Sequence, residues 1–154
     1  MERTGLRGHT LFQMLQPRQV ETISNATEQL TLEAGASVYR AGDPATSLFV
    51  VREGQVALHS VSGGITLHVD NVLPGEIFGT CLCFDRASYA LEAVCVQKST
   101  LLRIPTEALQ RILNDDLVLG FAMQKYISGV YFRRYIEAVT RLESLVKVLR
   151  LANA

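Results

Sequence analysis

Between Leu30 and Ile104 apolar and polar residues alternate in short runs, cut at regular intervals by glycine-bearing turns: Ala34-Gly35, Ala41-Gly42-Asp43, Glu53-Gly54, Ser62-Gly63-Gly64 and Pro74-Gly75. A period of two puts successive side chains on opposite faces, so each run reads as a strand with one buried face. Ser37-Val38-Tyr39-Arg40, Leu48-Phe49-Val50-Val51, Gln55-Val56-Ala57-Leu58-His59 and Ile65-Thr66-Leu67-His68-Val69 carry the pattern. Glycine supplies the positive φ that tight hairpins need, so the expected product is a set of short antiparallel strands closed into a β-roll or jelly-roll barrel.

The segments on either side have a different period. Leu11, Phe12, Leu15, Val20, Ile23 and Leu30 fall at roughly helical spacing, with Pro17 placed to open a second short helix. After Pro105 the period returns to 3.6. Thr106 reads as an N-cap for Leu109, Ile112 and Leu113, and Asn114-Asp115-Asp116 starts a helix that runs without proline to about Leu149. Within it Ser128, Phe132, Tyr135, Val139, Leu142, Val146 and Leu149 are spaced 4, 3, 4, 3, 4, 3, the seam of a coiled coil. A second stripe, Leu119, Met123, Tyr126 and Val130, is available to cover the barrel. The first stripe is then left for a second copy, and a parallel homodimer is expected. The chain divides into helices and roll over residues 1–113 and the dimerisation helix over 114–154. The fold class is α+β, mainly β.

Composition excludes several functions. The chain has 154 residues, enough for one domain with a proper core, and its 15 basic and 15 acidic residues leave no global field to draw it to nucleic acid or an anionic membrane. No run of eighteen apolar residues and no apolar leader is present, so a cytoplasmic protein without a membrane span is expected. Three cysteines fit reduced thiols better than a disulfide framework. No Ser-His-Asp or Cys-His order and no P-loop appears, and Cys95 sits in an alternating run where it is most simply core. An enzyme is not expected.

The stretches LTLEAGASVYRAGDPATSLFVVREGQVALHS, VDNVLPGEIFG and ALEAVCVQKSTLLRIP, followed by the long helix, carry a family resemblance. From Leu11 to Leu149 the chain resembles the sensor half of the Crp-Fnr transcription regulators, built on the cyclic-nucleotide-binding double-stranded β-helix. The turns at Gly35, Gly42-Asp43, Gly54, Pro74-Gly75 and Phe78-Gly79 match where that family has its glycines. The cupin barrel shares a PG turn but binds metal through a histidine constellation that His9, His59 and His68 do not form. No metal and no resident cofactor is expected.

What the resemblance implies about ligands follows from the residues around PGEIFGTCLCF. Family members that bind cyclic AMP use a short helix after the FG turn, a glutamate for the ribose hydroxyl and an arginine for the phosphate. Counting from Phe78-Gly79 puts Thr80 at the glutamate position. Counting back from Leu102-Arg103-Ile104 puts Tyr89 at the arginine position, followed by Ala90, while Arg86 lies three residues too early. Losing a charge-assisted bond to phosphate removes about 1.5–3 kcal/mol, so tight cyclic-AMP binding is not expected. Phe132 and Arg133 fall where the family faces an adenine, and both are bulkier than the small hydroxyl residues of cyclic-AMP receptors.

The expected pocket lining is therefore Phe78, Gly79, Thr80, Cys81, Leu82, Cys83, Tyr89 and Ala90 with Phe132 and Arg133, suited to an unidentified neutral or aromatic effector or filled by its own side chains. Cys81 and Cys83 diverge too far to pair with each other, on a strand or on a helix, and read as small buried side chains. An FNR-like iron–sulfur site is not expected, since no cysteine precedes Cys81. In the resembled regulators the helix leads into a helix-turn-helix domain. This chain stops at Ala154, so DNA contact would need that further domain. Two functions remain: an effector-responsive regulatory domain, or an interaction module of the same fold that dimerises or docks a partner without an effector.

Overall fold

The computed structural model describes residues 9–80 and 85–154. Two short helices lead in, α1 (Thr10–Gln13) and α2 (Pro17–Ala26). Pro17 occupies the first turn of α2, where a missing N–H costs nothing, and the Gln16 N–H donates to Gln19 Oε1 at 2.8 Å. Eight strands follow: β1 (Glu28–Leu32), β2 (Ser37–Tyr39), β3 (Ser47–Glu53), β4 (Val56–Ser62), β5 (Ile65–Val72), β6 (Ile77–Phe78), β7 (Glu92–Cys95) and β8 (Ser99–Pro105). They form two antiparallel four-stranded sheets, ordered β1-β8-β3-β6 and β2-β7-β4-β5. The expected mainly-β roll with a long carboxy-terminal helix is the observed architecture.

Two apolar clusters hold it together. One lies between the sheets and includes Tyr39, Phe49, Val51, Leu58, Phe78 and Tyr89. The other joins the outer face of the first sheet to the helices, with Leu11, Ile23, Leu48, Ile104, Leu109, Met123 and Ile127 all essentially inaccessible to solvent. Each fully buried side chain of this size stabilises by about 1.5–3 kcal/mol relative to exposure. Alternation in β3 therefore serves both: Leu48 and Val50 face the helices, Phe49 and Val51 the roll.

The last strand passes directly into α3 (Thr106–Asp115), and α4 (Leu117–Ala152) follows. The expected N-cap at Thr106 is displaced by one residue. Pro105 is the cap, because β8 stays paired with Ser47 to its end, and Thr106 enters the helix with its N–H on Thr46 O at 3.0 Å and its hydroxyl buried without a hydrogen bond among the described residues. Asp116 caps α4 by accepting from the Leu119 N–H at 3.0 Å. Gly120 lets the two helices meet, since a Cβ there would stand 2.9 Å from the Leu113 carbonyl oxygen.

Gly54 is the turn residue under the tightest constraint. Its φ is +91°, and an added Cβ would lie 2.6 Å from Lys98 O and 2.7 Å from Ser99 Cα. Ser99 is held in turn by the Gln55 N–H, which donates to its hydroxyl at 3.1 Å. Left-handed strain and a clash with backbone combine, so Gly54→Ala should cost roughly 2–4 kcal/mol, read as a lower denaturant midpoint with an unchanged m-value.

His9 begins α1 from a buried position. Its Nδ1 accepts from the Leu11 N–H at 3.1 Å, its ring meets Phe12 and Tyr126 edge-on, and Nε2 finds no hydrogen-bond partner among the described residues. Burial lowers its pKa, partly offset by the nearby Gly75 backbone. A base with a depressed folded pKa contributes stability that is complete above the unfolded value, about 6.5, and is lost as pH falls below it. Stability in thermal unfolding should therefore fall as pH drops below about 6.5, a loss that His9→Asn flattens.

Candidate functional site

Of the residues expected at the nucleotide position, Phe78, Gly79, Thr80 and Tyr89 are buried or packed in the interior of the roll. β6 carries Ile77 and Phe78 beside β3, with Phe49 opposite Phe78. Gly79 follows at φ +76°, with an added Cβ 3.1 Å from the Phe49 ring. Thr80 comes next, fully buried, its hydroxyl without a hydrogen bond among the described residues. Cys81, Leu82 and Cys83 lie outside the described residues. Ala90 is exposed.

Tyr89, expected at the phosphate-anchor position, is buried and tied to β3 and to the Gly42-Asp43 turn. Its hydroxyl donates to Ser47 O at 2.6 Å and accepts from the Ser47 N–H at 3.2 Å. Its own N–H donates to Asp43 O at 2.9 Å, and its carbonyl accepts from the Gly42 N–H at 2.8 Å. The ring stacks on Tyr39 with centroids 3.7 Å apart and planes 11° apart. Tyr39 stands 6.0 Å from Phe78, which stacks on Phe49 at 5.2 Å. Tyr89, Tyr39, Phe78 and Phe49 thus pack as four rings inside the roll, each contact contributing about 0.5–1.5 kcal/mol beyond its burial. The strand-bridging role of Tyr89 could not be read from sequence, because Ser47 is 42 positions away.

Phe132 and Arg133 are not brought against these rings. Phe132 is 64% exposed and meets Tyr135 at 6.3 Å. Arg133 lies 3.0 Å from Glu137, 3.7 Å from Asp70 and 3.8 Å from Glu76. Burial alone would lower its pKa, but the Glu137 bond and the three carboxylates outweigh it and raise the value.

The neighbouring residue carries the contact that pattern reasoning missed. Arg134 is buried, donates from Nε to Asp70 Oδ2 at 2.7 Å and from Nη2 to Ile77 O at 2.8 Å, and lies 5.7 Å from the Tyr131 ring. Tandem arginines on a helix read as a solvated face. Ile127, buried seven residues earlier on the same face, is the one signal that Arg134 points inward.

Along α4 the stripe Phe132, Tyr135, Leu142, Val146 and Leu149 is exposed, with Ser128 exposed and Val139 half-buried. The 4, 3 spacing continues backward through Lys125 to Phe121 and Val118, which are 74% and 83% exposed. Lys125 interrupts the apolar pattern and hid these two. The other stripe covers the roll: Leu119 and Met123 are buried, and Tyr126 and Val130 pack against the same cluster.

Little else in the fold suggests chemistry. Cys95 is buried, and burial, opposed by the Ser99 hydroxyl, pushes its thiol pKa up, so it is an unreactive core side chain. His59 and His68 face each other across β4 and β5 at 5.8 Å, with Glu92 3.8 Å from His59. Among the described residues no three His, Cys, Asp or Glu side chains form a metal site. No helix among them is long and apolar enough to cross a membrane.

Known proteins align with this architecture. The sensor domain of the transcriptional regulator DNR from Pseudomonas aeruginosa superposes with a TM-score of 0.76 at 26% identity, covering 88% of this chain and 91% of that one. Thermus thermophilus Catabolite Activator Protein gives 0.68 at 26% identity, covering 88% and 62%. The regulatory domain of Toxoplasma gondii PKA with cAMP shares the fold, at 0.71 and 14% identity, covering 85% and 48%. Neuropathy target esterase sws of Drosophila ananassae is 30% identical over 98 residues, and the chain spans only 6% of that protein's length. The family described as Cyclic nucleotide-binding domain matches residues 29–116, more than half of the sequence, and the chain belongs to that family.

Proposed function

We propose that this chain is a regulatory domain of the Crp-Fnr sensor type that dimerises through α4, acts without catalysis, and has a roll unsuited to cyclic nucleotides. The observation that carries the reading is Tyr89. A side chain whose hydroxyl satisfies both backbone groups of Ser47 and whose ring stacks on Tyr39 fills the phosphate position instead of offering it a charge. Binding a cyclic phosphate here would require breaking those contacts and desolvating an anion without a cation to pair it. The likeness to the DNR sensor domain over 88% of the chain supports the regulatory role, with DNA contact reserved to a further domain. A soluble, cytoplasmic setting goes with that role.

The ring-filled roll also favours a second reading, an interaction module that needs no effector. Calorimetry separates these. The natural protein should show no binding of cyclic AMP at micromolar concentrations, and Thr80→Glu with Tyr89→Arg should gain it, since about 1.5–3 kcal/mol per charge-assisted bond amounts to roughly tenfold or more in affinity. Micromolar binding by the natural protein would overturn the proposal. A small neutral or aromatic compound bound in the roll would exclude the effector-free module.

A further inference from the structure

We propose that the Asp70–Arg134–Ile77 junction is a mechanical coupling that passes the state of the roll's interior to the exposed stripe of α4. The inference rests on the reading of α4 as a dimer helix and names how that helix is regulated.

Asp70 belongs to β5 in one sheet and Ile77 to β6 in the other, so one guanidinium grips both sheets at 2.7 and 2.8 Å. Met123 and Ile127 hold α4 on the roll by apolar, non-directional contacts that slide at little cost, and the further polar contacts of the helix with the roll, Arg133 with Asp70 and Glu76 and Arg141 with the Val69 carbonyl, come from exposed side chains. A planar fork satisfied in two directions does not slide, and a lysine cannot reproduce it. When the sheets shift relative to each other, Arg134 has to follow one of them.

Contacts reach this fork from within the roll. Tyr89 stacks on Tyr39, Tyr39 meets Phe78, and Phe78 follows the carbonyl that Arg134 holds. On the helix Arg134 stands between Phe132 and Tyr135, two exposed members of the stripe. A displacement of the Tyr89–Tyr39 pair therefore has a continuous route of close contacts to the helix surface, and its last link is polar and oriented.

The test perturbs one end and reads the other by hydrogen exchange on the full chain. Tyr89→Phe removes the hydroxyl that bridges Ser47 and keeps the ring. It should speed amide exchange in residues 74–80 and in residues 130–138 by about fivefold. In an Arg134→Lys background the response of residues 74–80 should persist and that of residues 130–138 should vanish. If the lysine variant does not fold, Asp70→Leu with Arg134→Met serves as the uncoupled background. An equal helix response in both backgrounds, or no helix response to Tyr89→Phe in the natural background, overturns the coupling. Light scattering on the same samples keeps the two ideas apart: a monomer with coupled exchange removes the dimer reading and leaves the junction, and a dimer with uncoupled exchange does the reverse.

Discussion

Arg134→Met should destabilise the domain by about 3–5 kcal/mol, because it strands the Asp70 carboxylate in a buried site with its charge uncompensated. Asp70 is 8% exposed and its Oδ2 accepts from Arg134 at 2.7 Å. Its remaining cation, Arg133, stands at 3.7 Å, is half in solvent and is shared with Glu76 and Glu137. In a domain of this size such a loss lowers the melting temperature by roughly 6–20 °C. The pair itself need not be strongly stabilising. Desolvating two ions offsets most of their attraction, so Asp70→Leu with Arg134→Met should recover most of the loss, leaving the cost of the unpaired Ile77 carbonyl, about 1–3 kcal/mol. Thermal melts of the two single variants and the double variant check this. If the double variant is as unstable as Arg134→Met, the damage lies in lost packing and the ionic account is wrong.

This site also marks the boundary of what the sequence discloses. Strand period, glycine turns and the change of period after Pro105 are local signals, and they located the roll, the short helices, and the long helix, whose expected start at Asn114-Asp115-Asp116 resolves to a cap at Asp116. β6 is two residues long and held by pairing with Phe49 and Val50, so no alternation existed to announce it. Thr106 carried a sound capping signal, yet the pairing of β8 with Ser47 won and moved the cap to Pro105. Spacing singled out Thr80 and Tyr89 as uncharged residues near the Phe78-Gly79 turn. It could not say what Tyr89 touches, because that answer lies in Ser47 and Tyr39, which are distant in sequence. Asp70 and Arg134 are 64 residues apart and each looks like an ordinary surface residue in its own segment. Buried polar pairs with no local periodicity become visible only once the chain is folded.

Leu142→Lys should weaken self-association of this chain roughly a thousandfold or more. Leu142 is 64% exposed in a single chain, within an unbroken apolar run from Phe132 to Leu149 at the 4, 3 spacing of a two-stranded coiled coil. A largely exposed apolar strip about five turns long is unusual on a monomer surface. In a parallel pair the two copies of residue 142 meet across the axis, so the substitution removes two buried leucines, about 2–3 kcal/mol each, and sets two like charges face to face. At 1.4 kcal/mol per factor of ten the loss is roughly three to four decades in the dissociation constant. Val148→Lys is the control, since Val148 is equally exposed but off the stripe, and it should leave association unchanged. Phe121→Lys asks whether the interface continues past Lys125 toward the start of α4, and should weaken association about as much as Leu142→Lys. Direction is tested by Val146→Cys. Identical residues lie within disulfide reach only when the helices run parallel and in register, so oxidation should give a covalent dimer that is absent from the Val148→Cys variant. Sedimentation or light scattering that reports the 17.0 kDa single-chain mass for the natural protein at tens of micromolar would remove the interface altogether.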